Sequence, residues 1–94
     1  MRAIRQHPFG EPWDVLQVDE VKTPEPGPGQ VRVRTLMSPI HNHDLWTVRG
    51  TYGFKPELSA GAGTEAVGLI DAIGEGVEHL SMGQRVATGG TFEV

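Results

Sequence analysis

The sequence has 94 residues, of which 13 are Gly and 7 are Pro, and only 37% are hydrophobic; this composition argues against a helical bundle, because Gly and Pro disfavour helix interiors. Eight Lys plus Arg against twelve Asp plus Glu give a formal charge of -4, and without a basic run to follow a phosphate backbone no nucleic-acid partner is expected. The absence of Cys removes disulfides, a thiolate nucleophile and Cys-ligated zinc from this stretch.

The opening Met1-Arg2-Ala3-Ile4-Arg5 lacks the apolar stretch of a secretory leader, and no segment reaches the roughly 18 apolar residues of a membrane span. A soluble, cytoplasmic protein is the expectation. From Val15 to Val21, residues Val15, Gln17, Asp19 and Val21 share one side and Leu16, Val18 and Glu20 the other, an imperfect period of two that predicts a strand. Thr23-Pro24-Glu25-Pro26-Gly27-Pro28-Gly29 follows; its alternating prolines forbid a helix and predict an extended or turning connection. Gln30 to Met37 alternates better, with Val31, Val33, Thr35 and Met37 facing one way and Arg32 and Arg34 the other, which predicts a half-buried strand.

One short helix is expected over Leu45 to Arg49, with Asn42 as its cap, Asp44 in the first turn and Gly50 as its stop. Ala66 to Ile73 is a nearly continuous apolar run closed by Gly74-Glu75-Gly76; it predicts a strand that wants cover on both faces. Gln84 to Ala87 predicts another short strand, and Thr91-Phe92-Glu93-Val94 resembles the start of one more. Short strands with Gly and Pro punctuation point to a mainly β sandwich or barrel of mostly antiparallel strands.

Four features bear on chemistry. Gly61-Ala62-Gly63-Thr64-Glu65-Ala66 fits the dinucleotide fingerprint in letters, but that motif needs a strand before it and a helix after it. Its surroundings predict a glycine-bent entry into a strand instead. His41-Asn42-His43-Asp44 gathers two imidazoles, an amide and a carboxylate, a set suited to proton transfer, metal binding or polar recognition. The plainer alternative is that Asn42 caps the helix, Asp44 meets its dipole and the histidines are partly solvated. Glu65 precedes an apolar run, so its carboxylate is expected at the edge of buried structure, in proton chemistry or in an ordinary ion pair. Trp46 and Tyr52 flank Arg49-Gly50 and offer a wall for a flat, quinone-like ring, although Trp46 packed on a sheet would serve as well. His7 and His79 stand alone in the sequence and are expected at the surface.

The blocks Ser38-Pro39-Ile40-His41-Asn42-His43-Asp44-Leu45, Arg49-Gly50-Thr51-Tyr52, Gly63-Thr64-Glu65-Ala66-Val67-Gly68, Gly74-Glu75-Gly76-Val77 and Gly83-Gln84-Arg85-Val86, in that order, resemble the N-terminal GroES-like catalytic domain of the medium-chain dehydrogenase/reductase superfamily. The Met1-Arg2-Ala3 opening and the connection at 26 to 33 extend the resemblance over nearly the whole chain. It implies a partly open, GroES-like β-barrel with one short helix. It also implies an NADPH or NADH cofactor held by a Rossmann domain that these 94 residues do not contain, so residues 1 to 94 are expected to be an incomplete N-terminal domain, inactive alone.

Zinc alcohol dehydrogenases of the superfamily have Cys where His41 falls, a Ser or Thr proton relay where His43 falls, and a His-Glu pair where Thr64-Glu65 falls. Thr64 is a poor zinc ligand, so no catalytic zinc is expected. The Gly-Thr-Glu-Ala and Arg-Gly-Thr-Tyr blocks resemble the zinc-independent quinone oxidoreductases and enoyl reductases. The resemblance implies a place near the nicotinamide for His41; beside it, polar or proton-transfer roles are expected of His41, His43 and Glu65, while Asp44 is expected to orient that loop and Trp46 and Tyr52 to form the substrate wall. A small-molecule substrate and a homo-oligomer are the expected partners. Two rivals stand beside this reading: a non-catalytic β module for folding or association, and a variant zinc site built on His41 and Glu65 with a ligand from elsewhere.

Overall fold

The computed structural model describes residues 1 to 89; the strand expected from Thr91 lies outside the described residues. They form two compact units interleaved along the chain, one from Met1–Thr23 with Ile40–Thr64, the other from Pro24–Pro39 with Glu65 onward. The chain is mainly β, as its Gly and Pro content requires.

In the first unit, β1 (Arg2–Gln6) is the middle strand of a three-stranded sheet. It pairs antiparallel with β2 (Leu16–Glu20), from Arg2 opposite Glu20 to Gln6 opposite Leu16. On its other side it takes the two residues of β4 (Ala60–Gly61), Gln6 opposite Ala60 and Arg5 opposite Gly61. A single helical turn, α1 (Pro12–Val15), precedes β2. The strand expected from Val15 therefore begins one residue later, because Pro12 near the start presets the turn. Within β2 it is Asp19 that is half-buried, whereas Val18 is exposed. The His7 ring, which accounts for this, lies against the Asp19 carboxylate at 2.7 Å.

The longer helix, α2 (Asn42–Arg49), runs where expected but starts differently. His41, with φ -94 and ψ 155, is the cap, and Asn42 is the first helical residue. The Asp44 carboxylate replaces the expected Asn42 cap by accepting the His41 backbone N–H at 3.0 Å. Gly50 ends the helix in the left-handed region at φ 80, where a side chain would be strained, and its N–H reaches the Thr47 carbonyl at 3.1 Å. Val48 and Asp44 are the buried positions of this helix.

The second unit carries the sheet β3-β5-β6, built from β3 (Val31–Met37), β5 (Glu65–Ile73) and β6 (Arg85–Gly89), all antiparallel. The Pro-rich connection is free of regular structure and ends in a turn where the Gln30 N–H meets the Gly27 carbonyl. The Gly74 N–H in turn donates to the Gln30 carbonyl at 2.8 Å. The alternation expected for β3 is not seen in its burial: Val31, Arg32 and Val33 are all half-buried, and Arg34 through Met37 are all exposed. Register shifts between Arg32 and Val33 and between Thr35 and Met37 re-aim its end, leaving Met37 74% exposed. Arg32 is tied down by Asp71 at 2.8 Å and Glu25 at 3.1 Å.

The central strand β5 buries Ile70 to 1% exposure, yet Val67 is 37% exposed. It is thus covered more on one face than the expected two-sided burial would require. Among the described residues, no helix is long and apolar enough to cross a membrane.

Candidate functional site

Five of the six residues singled out in the sequence fall in the first unit, around the start and end of α2. The extended His41 and the first turn of the helix place two imidazoles in a stack, with ring centres 5.0 Å apart and planes 14° from parallel. Side chains two apart diverge within a helix but not across its cap. This proximity therefore depends on His41 being the cap rather than Asn42. The stack continues through Tyr52, whose ring centre lies 5.9 Å from that of His43, to Trp46, 6.3 Å from Tyr52. Gly50 turns the chain back so that Tyr52 can reach the rings of the first turn.

Trp46 and Tyr52 are 48% and 41% exposed. Each is about half open, whereas His41 and His43 are half-buried, so the row offers an aromatic surface chiefly at Trp46 and Tyr52. Such a surface suits a flat, electron-poor ring stacked on it.

A short polar chain starts from the His43 ring. His43 Nε2 is 3.1 Å from the Thr64 hydroxyl, and that hydroxyl donates to Asp44 Oδ1 at 3.0 Å. Nε2 also lies 3.4 Å from the same carboxylate oxygen. Asp44 is buried, and its other oxygen is engaged by the His41 N–H. This carboxylate holds together the helix cap, the hydroxyl and the neighbouring imidazole.

Glu65 opens β5 in the second unit, and its side chain is exposed. Its carboxylate, expected at the edge of buried structure, belongs to an exposed residue at the start of the strand, and Val67 two positions on is exposed as well. The Ser38 hydroxyl donates to the Glu65 carbonyl at 2.7 Å. Gly63, with φ 95, leads through Thr64 into this strand and not into a helix. The glycine pair is a bend between strands, and no helix N-terminus is available there for a pyrophosphate.

Two participants escaped the sequence reading. Thr64 had meaning there only as a missing zinc ligand, whereas its hydroxyl joins His43 to Asp44. His7 is exposed as expected, but it is not alone: Nδ1 meets the Ser59 hydroxyl and Nε2 meets Asp19. His79 is simply exposed. Among the described residues, no group of three His, Asp or Glu side chains is arranged to hold a metal ion.

A mainly β chain with this helix-capping loop has the features of a GroES-like domain. The alcohol dehydrogenase GroES-like domain family matches residues 27–93, and the chain belongs to that family, within the medium-chain dehydrogenase and quinone oxidoreductase superfamily. It is 42% identical over 86 residues to an alcohol dehydrogenase of Moraxella sp., covering 92% of this chain and 25% of that protein. It is 36% identical over 85 residues to a mitochondrial enoyl-[acyl-carrier-protein] reductase of Xenopus tropicalis, covering 90% and 24%. Its structure resembles that of Escherichia coli quinone oxidoreductase, solved in complex with NADPH, with a TM-score of 0.90 at 32% identity over 98% of this chain and 28% of that one. The chain spans about a quarter of the length of these relatives.

Proposed function

We propose that this chain is the N-terminal, substrate-side part of a zinc-independent, nicotinamide-dependent oxidoreductase that reduces a quinone, an enone or another carbonyl. The observation that carries the proposal is the row of four rings, with Trp46 and Tyr52 exposed, linked through His43 and Thr64 to a buried, hydrogen-bonded carboxylate. The similarity to quinone oxidoreductases and enoyl reductases supports the substrate class.

The cofactor, bound by a domain outside these residues, would supply the hydride. What this chain contributes is a surface and a proton. Tyr52 and Trp46 hold a planar acceptor by stacking, which excludes water from one face of it and fixes its orientation. His41 and His43 offer nitrogens at the edge of that stack, where a carbonyl oxygen gaining charge needs a donor. Asp44 keeps the loop in place through its two oxygens. Glu65 keeps, as part of the proposal, the polar or proton-transfer role expected from the sequence.

Zinc independence rests on the donor set. Cys is absent, and the Thr64 hydroxyl is engaged with Asp44 and His43 where a metal site would need an imidazole.

The reading is tested by following oxidation of NADH and NADPH by the longer protein proposed to contain this chain, against a quinone, an enone and an aldehyde, before and after dialysis with a chelator. Turnover of one acceptor class that survives chelation supports it. Turnover abolished by chelation and restored by zinc overturns it in favour of a variant zinc enzyme, and no turnover with any acceptor favours a non-catalytic module. The 94 residues by themselves are expected to oxidise neither nucleotide, because donor and acceptor must be positioned together.

A further inference from the structure

We propose that Thr64 is a positioning residue that fixes the tautomer of His43, leaving Nδ1 as the nitrogen that exchanges protons with substrate. The inference rests on the functional reading above only for the last step, the identity of what Nδ1 serves. The tautomer itself follows from counting protons.

A neutral imidazole carries one N–H and one bare nitrogen, and a hydroxyl has one proton to give. The Asp44 carboxylate can only accept. Its Oδ1 lies 3.0 Å from Thr64 Oγ1, so the Thr64 proton is committed to it. Thr64 Oγ1 is then left with lone pairs toward His43 Nε2 at 3.1 Å, and Nε2 must bring the proton to that contact. The opposite assignment fails twice. A bare Nε2 would take the Thr64 proton away from a buried carboxylate oxygen, and it would hold its own lone pair 3.4 Å from that same oxygen. An unsatisfied buried acceptor is costly, and more so when charged.

The direction of the chain is therefore His43 Nε2–H to Thr64 Oγ1–H to Asp44 Oδ1. Nothing else in this chain of contacts needs to move. Asp44 is anchored independently by the His41 N–H at 3.0 Å, and the backbone of His43 is anchored by the Thr47 hydroxyl, which donates to its carbonyl at 2.8 Å. The His41 ring stacked at 5.0 Å and Tyr52 at 5.9 Å limit rotation of the His43 ring. A ring held in this way presents one defined nitrogen, Nδ1, as base or, once protonated, as acid. In a carbonyl reduction that proton would pass to the substrate oxygen as the hydride arrives at carbon, and solvent would restore it.

The test is long-range proton–nitrogen correlation on the 94-residue chain labelled with nitrogen-15 histidine, at an alkaline pH where the imidazole is neutral, with His43 assigned from the spectrum lost in His43→Gln. The expected result is an Nε2 shift in the protonated range and an Nδ1 shift in the bare range, with no averaging. Thr64→Ser should keep that pattern, and Thr64→Val should move both nitrogens toward the averaged shifts of an exchanging mixture. A protonated Nδ1 in the unsubstituted chain overturns the proposal. So does an unchanged pattern in Thr64→Val, which would show that Asp44 alone sets the tautomer. The wild-type spectrum decides the direction even if Thr64→Val does not fold. Because the readout needs no turnover, a failed functional reading leaves the tautomer assignment standing, and a failed tautomer assignment leaves the functional reading to its own assay.

Discussion

The Gln6 side-chain amide donates to the Val48 carbonyl oxygen at 3.1 Å, joining the end of β1 to the last turn of α2, and both residues are buried. The same nitrogen reaches the Pro8 carbonyl at 3.1 Å. The helix that carries His43, Asp44 and Trp46 is thereby held at its far end by a polar residue in the core. Gln6→Ala should destabilise the first unit by about 1–3 kcal/mol, the range for losing a buried hydrogen-bonding group. Urea denaturation followed by Trp fluorescence measures it, and an unchanged midpoint would mean that the amide is not a tether.

Acid should loosen β1, β2 and the segment at Ser59 together. The Gln17 amide and then His7 hold the Asp19 carboxyl below its ordinary value of 3.8, by hydrogen bonds to the charged form. A carboxyl whose folded value is depressed adds stability above its unfolded value and loses it as pH falls through the folded one. Asp19→Asn should therefore flatten the acid limb of the stability curve below about pH 4 while changing little of its shape near neutrality. Denaturation midpoints of both proteins across that window check this; parallel acid limbs would count against the contact.

Gly68, buried in β5, leaves no room for a side chain. A Cβ there would overlap the Arg34 carbonyl oxygen and the Val33 side chain on β3. Since a backbone oxygen in a ladder cannot step aside, Gly68→Ala should cost about 1–3 kcal/mol by overpacking. Thermal melts compare it with Gly53→Ala as a control for glycine loss, since nothing lies within 4 Å of a Cβ there and its φ is not in the left-handed region.

Self-association is expected of the isolated chain. Trp13, Met37, Ile40 and Phe54 are each more than half exposed, and β3 and β6 each have an edge without a partner strand among the described residues. Apolar surface and open edges both invite further pairing. Light scattering over a concentration series should show mass rising with concentration, and a constant monomer mass would contradict it.

The elements legible in the sequence are those whose pattern is local. β3, β5, β6 and α2 follow from alternation, an apolar run and a glycine stop within a few residues. The two-residue β4 exists only because β1 lies beside it, and no pattern in Ala60-Gly61 encodes that pairing. The face of β2 was obscured similarly: Val18 is outside and Asp19 half-buried because His7 lies beside the carboxylate. In the site, the cluster at 41 to 44 was visible as a composition. That His41 and not Asn42 caps the helix depends on Asp44 reaching back, and the role of Thr64 depends on a contact across 20 positions.

The proposed function gives His43, linked through the Thr64 hydroxyl to Asp44 and stacked beside His41, the role of proton donor in a metal-free reduction by a nicotinamide cofactor. It is tested most directly by steady-state kinetics of the longer oxidoreductase proposed to contain this chain, treated with a chelator, with His43→Phe compared to the unsubstituted protein on a quinone or enone. The ring of Phe preserves stacking while removing both nitrogens. The account predicts a fall in kcat of roughly 100-fold or more, the usual scale for losing a general acid, with KM little changed. A kcat unchanged in His43→Phe would contradict it.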